Sequence, residues 1–206
     1  MTIWNEKFSS EEYLYGKEPN QFLKDELATL ERGKILFLGE GEGRNAVFAA
    51  KLGWQVDAVD SSEIGKQKAL SLAKENNVTI NYMIDDIFNY NTEKKYDAVA
   101  LIFLHVHDEL KEQLHNKVIS LLNKNGVVIL EAFEKDQIKN NSGGPKNVDL
   151  LYDLQTVAED FIELGKKTLT ESDRSESQRV PISTQILNLA PNLKSSYSIL
   201  STETRE

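Results

Sequence analysis

The 206-residue chain has no cysteine, only four prolines and three histidines, and no apolar run of membrane-spanning length. Without cysteine there is no disulfide framework, no thiolate metal site and no cysteine nucleophile. Without about 20 consecutive apolar residues no transmembrane helix is expected. The opening residues, including Trp4, Asn5, Glu6 and Lys7, lack the apolar core of a secretion signal, so a cytoplasmic location is expected. Basic residues are also short: 24 Lys and Arg stand against 33 Asp and Glu, a formal charge of −9, with no Lys/Arg block. That balance argues against nucleic acid or an anionic membrane as partner.

The remaining composition, 40% hydrophobic and 28% charged, is that of an ordinary soluble globular protein. The length suits one well-buried α/β domain over 1–206: an N-terminal arm and helix at 1–33, a core at 34–172 and an irregular segment at 173–206. The organising stretch is Lys34 to Asp60, KILFLGEGEGRNAVFAAKLGWQVDAVD. Ile35–Leu38 is an unbroken apolar run, as in a strand covered on both faces. Gly39, Gly41 and Gly43 follow at alternate positions, then a helical pattern through Ala46, Val47, Ala49, Ala50 and Leu52, then a second apolar run, Val56–Val59, ending on Asp60. Strand, glycine turn, helix, strand and acid make the first half of a nucleotide-binding unit.

Each part has a chemical reason. Glycines let backbone come close to a ligand, and a helix N-terminus offers free N–H groups to a carboxylate or phosphate. Asp60, 21 residues after Gly39, can accept both hydroxyls of a ribose, which points to an adenosine-bearing cofactor. The glycine spacing is one residue shorter than the dinucleotide fingerprint. A tight turn that binds nothing is the plain alternative.

Upstream, Trp4, Phe8, Tyr13 and Tyr15 either pack the arm onto the domain or form a lid over a cationic or planar ligand. Pro19 precedes a helical pattern, Phe22, Leu23, Leu27 and Leu30. Downstream, Ser61 or Ser62 can cap a helix running to about Asn76. Val78–Ile84 reads as a third strand ending on Asp85 and Asp86, and Asp86 is either an adenine ligand or a turn residue. Tyr96–Leu104 is a fourth strand, followed by His105 and His107; without a third partner of clear spacing, substrate contact is favoured over a metal, and none is expected. A helix over Glu109–Leu122 leaves His115 off its apolar stripe, on the surface. Asn125-Gly126 ends that helix, and Val127–Phe133 is strand five. Residues 135–148 read as a loop, Asp149–Asp160 as a helix with Leu150, Leu151, Leu154 and Val157 inward, and Phe161–Leu169 as a sixth strand. The end, with twelve Ser or Thr over 170–206, reads as irregular rather than as a closing strand.

These landmarks, from GEGEGRNA through VDAVD, Asp86, YDAV and LLNKNG, resemble those of class I S-adenosylmethionine-dependent methyltransferases over about Lys34–Phe133. WNEKF, YLYGKEPNQFL and GEGRNA are more narrowly similar to the tellurite-resistance and thiopurine methyltransferase group. The resemblance implies a Rossmann-like three-layer α/β sandwich with a mostly parallel sheet, and S-adenosylmethionine as cofactor. It places Gly39, Gly41 and Gly43 along the cofactor, Asp60 (with Ser61 beside it) at the ribose, and Asp86 and Ile87 at the adenine. Leu101 and Phe103 flank the reaction site, and Tyr15 and Asn20 fold over the methionine end. Arg44 and Asn45 orient substrate or brace the loop. Where the family usually has an acid two residues before the first glycine, this chain has Phe37, so Glu40 or Glu42 is expected to face the cofactor's amino group. The family's antiparallel last strand is not visible in the sequence.

The expected function is methyl transfer to a small molecule. A sulfur, selenium or tellurium nucleophile needs no strong base, whereas an oxygen or nitrogen nucleophile would recruit His105 or His107. A noncatalytic S-adenosylmethionine-binding domain and a nicotinamide-dependent oxidoreductase are the alternatives.

Overall fold

The computed structural model describes residues 3–139, 144–153, 155–161 and 194–200. Its centre is a six-stranded sheet in the order β3-β2-β1-β4-β5-β6, formed by β1 (Lys34–Leu38), β2 (Gln55–Asp60), β3 (Asn81–Ile84), β4 (Tyr96–Ile102), β5 (Leu122–Phe133) and β6 (Lys194–Leu200). All neighbouring strands pair in parallel. Parallel strands need crossovers, and helices supply them: α3 (Arg44–Lys51) between β1 and β2, α4 (Glu63–Glu75) between β2 and β3, and α5 (Asp108–Leu121) between β4 and β5. Two further helices, α1 (Ile3–Lys7) and α2 (Gln21–Thr29), precede the sheet, and α6 spans 155–161.

Both sheet faces are covered, which is why the strands read as continuous apolar runs. On one face Ile35, Phe37, Ala58, Ala98 and Ile129 pack against Leu23 and Leu27 of α2, Ala46 and Ala49 of α3, and Ala69 and Leu72 of α4. On the other, Leu36, Leu38, Val99, Leu101 and Leu130 meet Leu114 and Val118 of α5, with Val157 and Phe161 of α6. This is the expected three-layer sandwich. The chain reverses its order along the sheet between β1 and β4, so the crevice of such folds opens at the C-terminal ends of these two strands.

Several expectations are corrected. Phe161 belongs to α6 rather than to a strand, and the remainder of that predicted strand lies outside the described residues. The run at 149–160 is not one helix. Val148–Leu150 forms a 3-10 turn, Tyr152 bridges to Glu134 beside the end of β5, and helix resumes at 155–161. Side-chain caps explain that break: Asn147 accepts the Asp149 N–H, and Asp153 accepts the Thr156 N–H. The end is not wholly irregular, because Lys194–Leu200 forms β6; it runs parallel to β5, not antiparallel. Strand five begins at Leu122, five residues early, with a register shift before Val127 and Asn125 at φ 67°. His115 is 0% exposed, not solvated: Nδ1 lies 2.8 Å from Asp160 Oδ2, and its ring packs on Phe161.

Candidate active site

The glycine turn leaves β1 through three left-handed residues, Gly39 (φ 71°), Gly41 (φ 67°) and Gly43 (φ 93°), which side-chain-bearing residues rarely adopt. The turn is fastened to the end of β2. Gly39 N–H donates to the Val59 carbonyl at 2.8 Å, and Gly41 N–H donates to Asp60 Oδ2 at 2.9 Å. Asp60 Oδ1 accepts the Ser62 N–H at 2.8 Å. Burial raises the Asp60 carboxyl above its ordinary range, opposed by backbone N–H groups of Ser62, Gly41 and Ser61. Asp60 thus stands beside the turn, its carboxylate keeping room for a further donor. Gly43 has a different task from the other two: a Cβ there would lie 2.5 Å from the Ala69 Cβ, so it packs α3 on α4.

Glu40 and Glu42 divide. Glu40 Oε1 accepts the N–H groups of Asn45 (3.1 Å) and Ala46 (2.8 Å), capping α3. Burial outweighs those two donors and pushes its carboxyl up to about 8. Glu42, 5% exposed, instead holds the N-terminal arm: it pairs with Lys68 Nζ at 2.6 Å and accepts the Leu14 N–H at 2.8 Å. The Tyr13 hydroxyl donates to the Lys68 carbonyl, and Lys68 Nζ lies 5.2 Å from the Tyr13 ring centre. Nearer the start, Asn5 Oδ1 accepts from Ser62 Oγ and from the Ile64 N–H at the N-terminus of α4. Phe8 is buried with its ring 3.2 Å from where a Gly41 Cβ would stand. Arg44 donates to the Tyr15 carbonyl and lies over its ring, tying α3 to the arm; the Tyr15 side chain is 55% exposed.

Across the crevice stand the ends of β4 and β5. Asn20 caps α2, donates its own N–H to Asn45 Oδ1 at 2.9 Å, and donates its side-chain amide to Glu131, which is 4% exposed. Glu131 was not singled out from sequence, though it is the lone acid within the apolar strand VVILEAF. Phe103 takes φ 54°, a strained value for an aromatic residue, and its N–H donates to the Glu131 carbonyl at 2.7 Å. Leu104 follows against Gly39, 2.7 Å from the Cβ position. His105 packs nearly parallel to Phe133 (centroids 5.7 Å, 12°) and to Phe103 (6.5 Å, 26°), and its Nδ1 lies 2.8 Å from the Leu150 carbonyl.

The remaining expected residues are spread out. Asp86 is exposed and its Oδ1 accepts the Phe88 N–H at 2.7 Å, a turn-forming contact; Ile87 is half-buried behind it. Leu101, 1% exposed, sits in the α5-side core rather than at the crevice surface. His107 is exposed at the start of α5 and makes no side-chain cap.

The family model described as tellurite resistance protein TehB matches residues 1–139. The chain belongs to the TehB family. TehB from Haemophilus influenzae superposes with a TM-score of 0.57 at 17% identity, over 77% of this chain and 53% of that one. A structure from work on the conversion of a disulfide bond into a thioacetal group during echinomycin biosynthesis superposes at 0.59 with 18% identity, over 70% and 68%. At such identities these likenesses establish the fold, the class I methyltransferase fold. Among sequence relatives, a ubiquinone biosynthesis O-methyltransferase of Rickettsia akari is 31% identical over 106 residues, 52% of this chain and 42% of the relative. One from Rickettsia canadensis is 29% identical over 124 residues, 60% and 50%. This TehB-family chain therefore spans half or less of the curated relatives it matches.

Proposed function

We propose that this chain is an S-adenosylmethionine-dependent methyltransferase acting on a small molecule, with the described arm, crevice and core working as one domain. The observation that carries the reading is the buried Asp60 carboxylate held by Gly41 and Ser62 at the end of β2, beside a left-handed glycine turn. Two features of this chain suit that cofactor. Asp60 offers lone pairs to ribose hydroxyls, and Glu40 is a carboxyl raised by burial that a cationic amino group would return to its charged form. When bound, S-adenosylmethionine supplies a methyl group already activated by its sulfonium charge.

The protein's part is then positional. Gly39 and Gly41 keep the turn narrow, Asp60 holds the sugar, and Asp86 with Ile87 border the base. Asn20, tied to Asn45 and Glu131, and Tyr15 on the arm enclose the amino-acid end. Phe103, at the end of β4, faces the side from which an acceptor arrives. A sulfur or chalcogen nucleophile is the acceptor class that the family's description favours; the O-methyltransferase relatives favour a hydroxyl.

Calorimetry with S-adenosylhomocysteine tests the proposal. The unaltered chain should bind it, and Asp60→Ala should weaken binding by about 100-fold, the loss of a charge-assisted pair of hydrogen bonds. Near-native affinity in the variant overturns the cofactor assignment. Methyl transfer from labelled S-adenosylmethionine to hydroxyl, thiol and chalcogen acceptors separates an enzyme from a domain that only binds the cofactor.

A further inference from the structure

Among the described residues three buried side-chain nitrogens lack a hydrogen-bond partner: Trp54 Nε1, His105 Nε2 and His115 Nε2. A buried polar atom left unpaired is costly, so each asks for a reason. His115 is wholly enclosed between α5 and α6, paired with Asp160, and has no route to a ligand. His105 differs in location. It follows β4 directly, next to Leu104, which touches the glycine turn, and its stack-mates Phe103 and Phe133 are both only half-buried. The stack therefore forms an aromatic rim at the ends of β4 and β5, and one of its rings carries a buried, unpaired nitrogen.

The hydrogen bond on the other nitrogen settles which atom can react. Leu150 presents a carbonyl, which only accepts, so His105 Nδ1 carries the proton and Nε2 keeps a lone pair. The charges around the ring agree. Burial lowers the ring's affinity for protons, opposed by the hydrogen bond to Leu150, and Lys111 of α5 disfavours the imidazolium a little further. Lys111 and Lys135 both lie on Asp108, and the Tyr152 hydroxyl donates to the Leu104 carbonyl. An oxyanion acceptor would meet the buried Glu131 carboxylate at this end and ammonium groups already engaged.

We propose that His105 Nε2 is the proton acceptor for methyl transfer to a neutral, weakly acidic hydroxyl carried on a planar ring. The inference rests on the methyltransferase reading above. The hydroxyl oxygen attacks the sulfonium methyl carbon. An O–C bond forms, the S–C bond breaks with its electron pair passing to sulfur, and the hydroxyl proton moves to Nε2 and then to water.

The test uses the full chain with phenol and 1-naphthol as hydroxyl probes, and with benzenethiol, which ionises unaided, and tellurite as comparators. His105→Asn keeps an N–H for Leu150 but has no basic nitrogen. Methylation of the hydroxyl probes should fall about 100-fold in this variant. Transfer to benzenethiol should stay within about threefold, and S-adenosylhomocysteine affinity within about twofold. The wild-type rate with phenol should hold from pH 9 to 7 and drop only below the ordinary imidazole range, while the variant's rate climbs with pH throughout. Independently of turnover, nitrogen-15 resonances of His105 in the S-adenosylhomocysteine complex should show a protonated Nδ1 and a bare Nε2 that shifts on addition of 1-naphthol. The proposal is overturned by hydroxyl methylation within threefold in the variant, by a wild type that methylates only benzenethiol or tellurite, or by a proton on Nε2. A wild type that binds no S-adenosylhomocysteine overturns the methyltransferase reading itself, which is a separate result.

Discussion

The two walls of the crevice are built differently. The wall made by the glycine turn, α3 and α4 is dense with hydrogen bonds and ion pairs. Glu40, Glu42, Asn45, Asp60 and Ser62 are each spoken for by backbone or by the arm. The wall made by the ends of β4 and β5 is aromatic, with Phe103, His105 and Phe133 stacked and few polar groups. A wall satisfied in advance suits a ligand that is to be held in one place. A sparse, aromatic wall with one unpaired nitrogen suits the ligand that reacts.

The comparison can be broken first at its most rigid point. Gly43→Ala should destabilise the fold by about 3 kcal/mol, since a Cβ would strike Ala69 at a positive φ. Gly16→Ala should cost only about 1 kcal/mol, because Gly16 has a similar φ of 72° and nothing within 4 Å. Thermal unfolding of the pair isolates the packing share, and equal losses would contradict the account. Lys68→Met should cost about 2–3 kcal/mol by leaving Glu42 buried and charged. Faster proteolysis at Tyr15–Gly16 would report the freed arm, and adding Glu42→Gln should recover much of the loss.

Protonation sharpens the contrast further. Glu40 is held protonated up to about 8 in the folded chain, above its ordinary carboxyl range, so folding takes up a proton there. The sign follows. This contribution is present at low pH and is lost as pH rises from the ordinary carboxyl range to about 8. Binding of S-adenosylhomocysteine, whose ammonium favours the carboxylate, should then release most of a proton at pH 7, seen as calorimetric heats that vary with buffer. Glu40→Gln should abolish the release, and a buffer-independent heat in the unaltered chain would count against it. The smallest effect belongs to the arm's first anchor: Asn5→Ala removes a cap contact on α4 and should cost about 1 kcal/mol by denaturant unfolding.

Much of the turn-side wall was legible in the sequence. Three alternating glycines and an acid at the end of the next apolar run can hardly mean anything but a strand–turn–helix–strand unit. The α5 boundaries also came out within a residue, because Leu110, Leu114, Val118 and Leu121 keep helical spacing. The opposite wall was harder to read. Its key contacts join residues far apart in the chain, Asn20 to Glu131 and His105 to Leu150, and nothing in the local pattern signals them. His115 misled because it borders the apolar stripe rather than forming it: the position is buried beside Leu114 and Val118, and a carboxylate from another element makes an imidazole tolerable there. Likewise β6, KSSYSIL, lacks an early apolar run, so nothing in its pattern announces the parallel ladder it forms with β5.

One consequence of the Glu42–Lys68 pair reaches into the laboratory. The five-residue turn that would cradle a nucleoside also clasps the leading segment, so occupancy of one and docking of the other share a single hinge of backbone. Loosening that pair should therefore be felt at the turn as well as in the arm. Truncating the part of that segment before Tyr15 should change the measured affinity even though the severed atoms need never touch the guest.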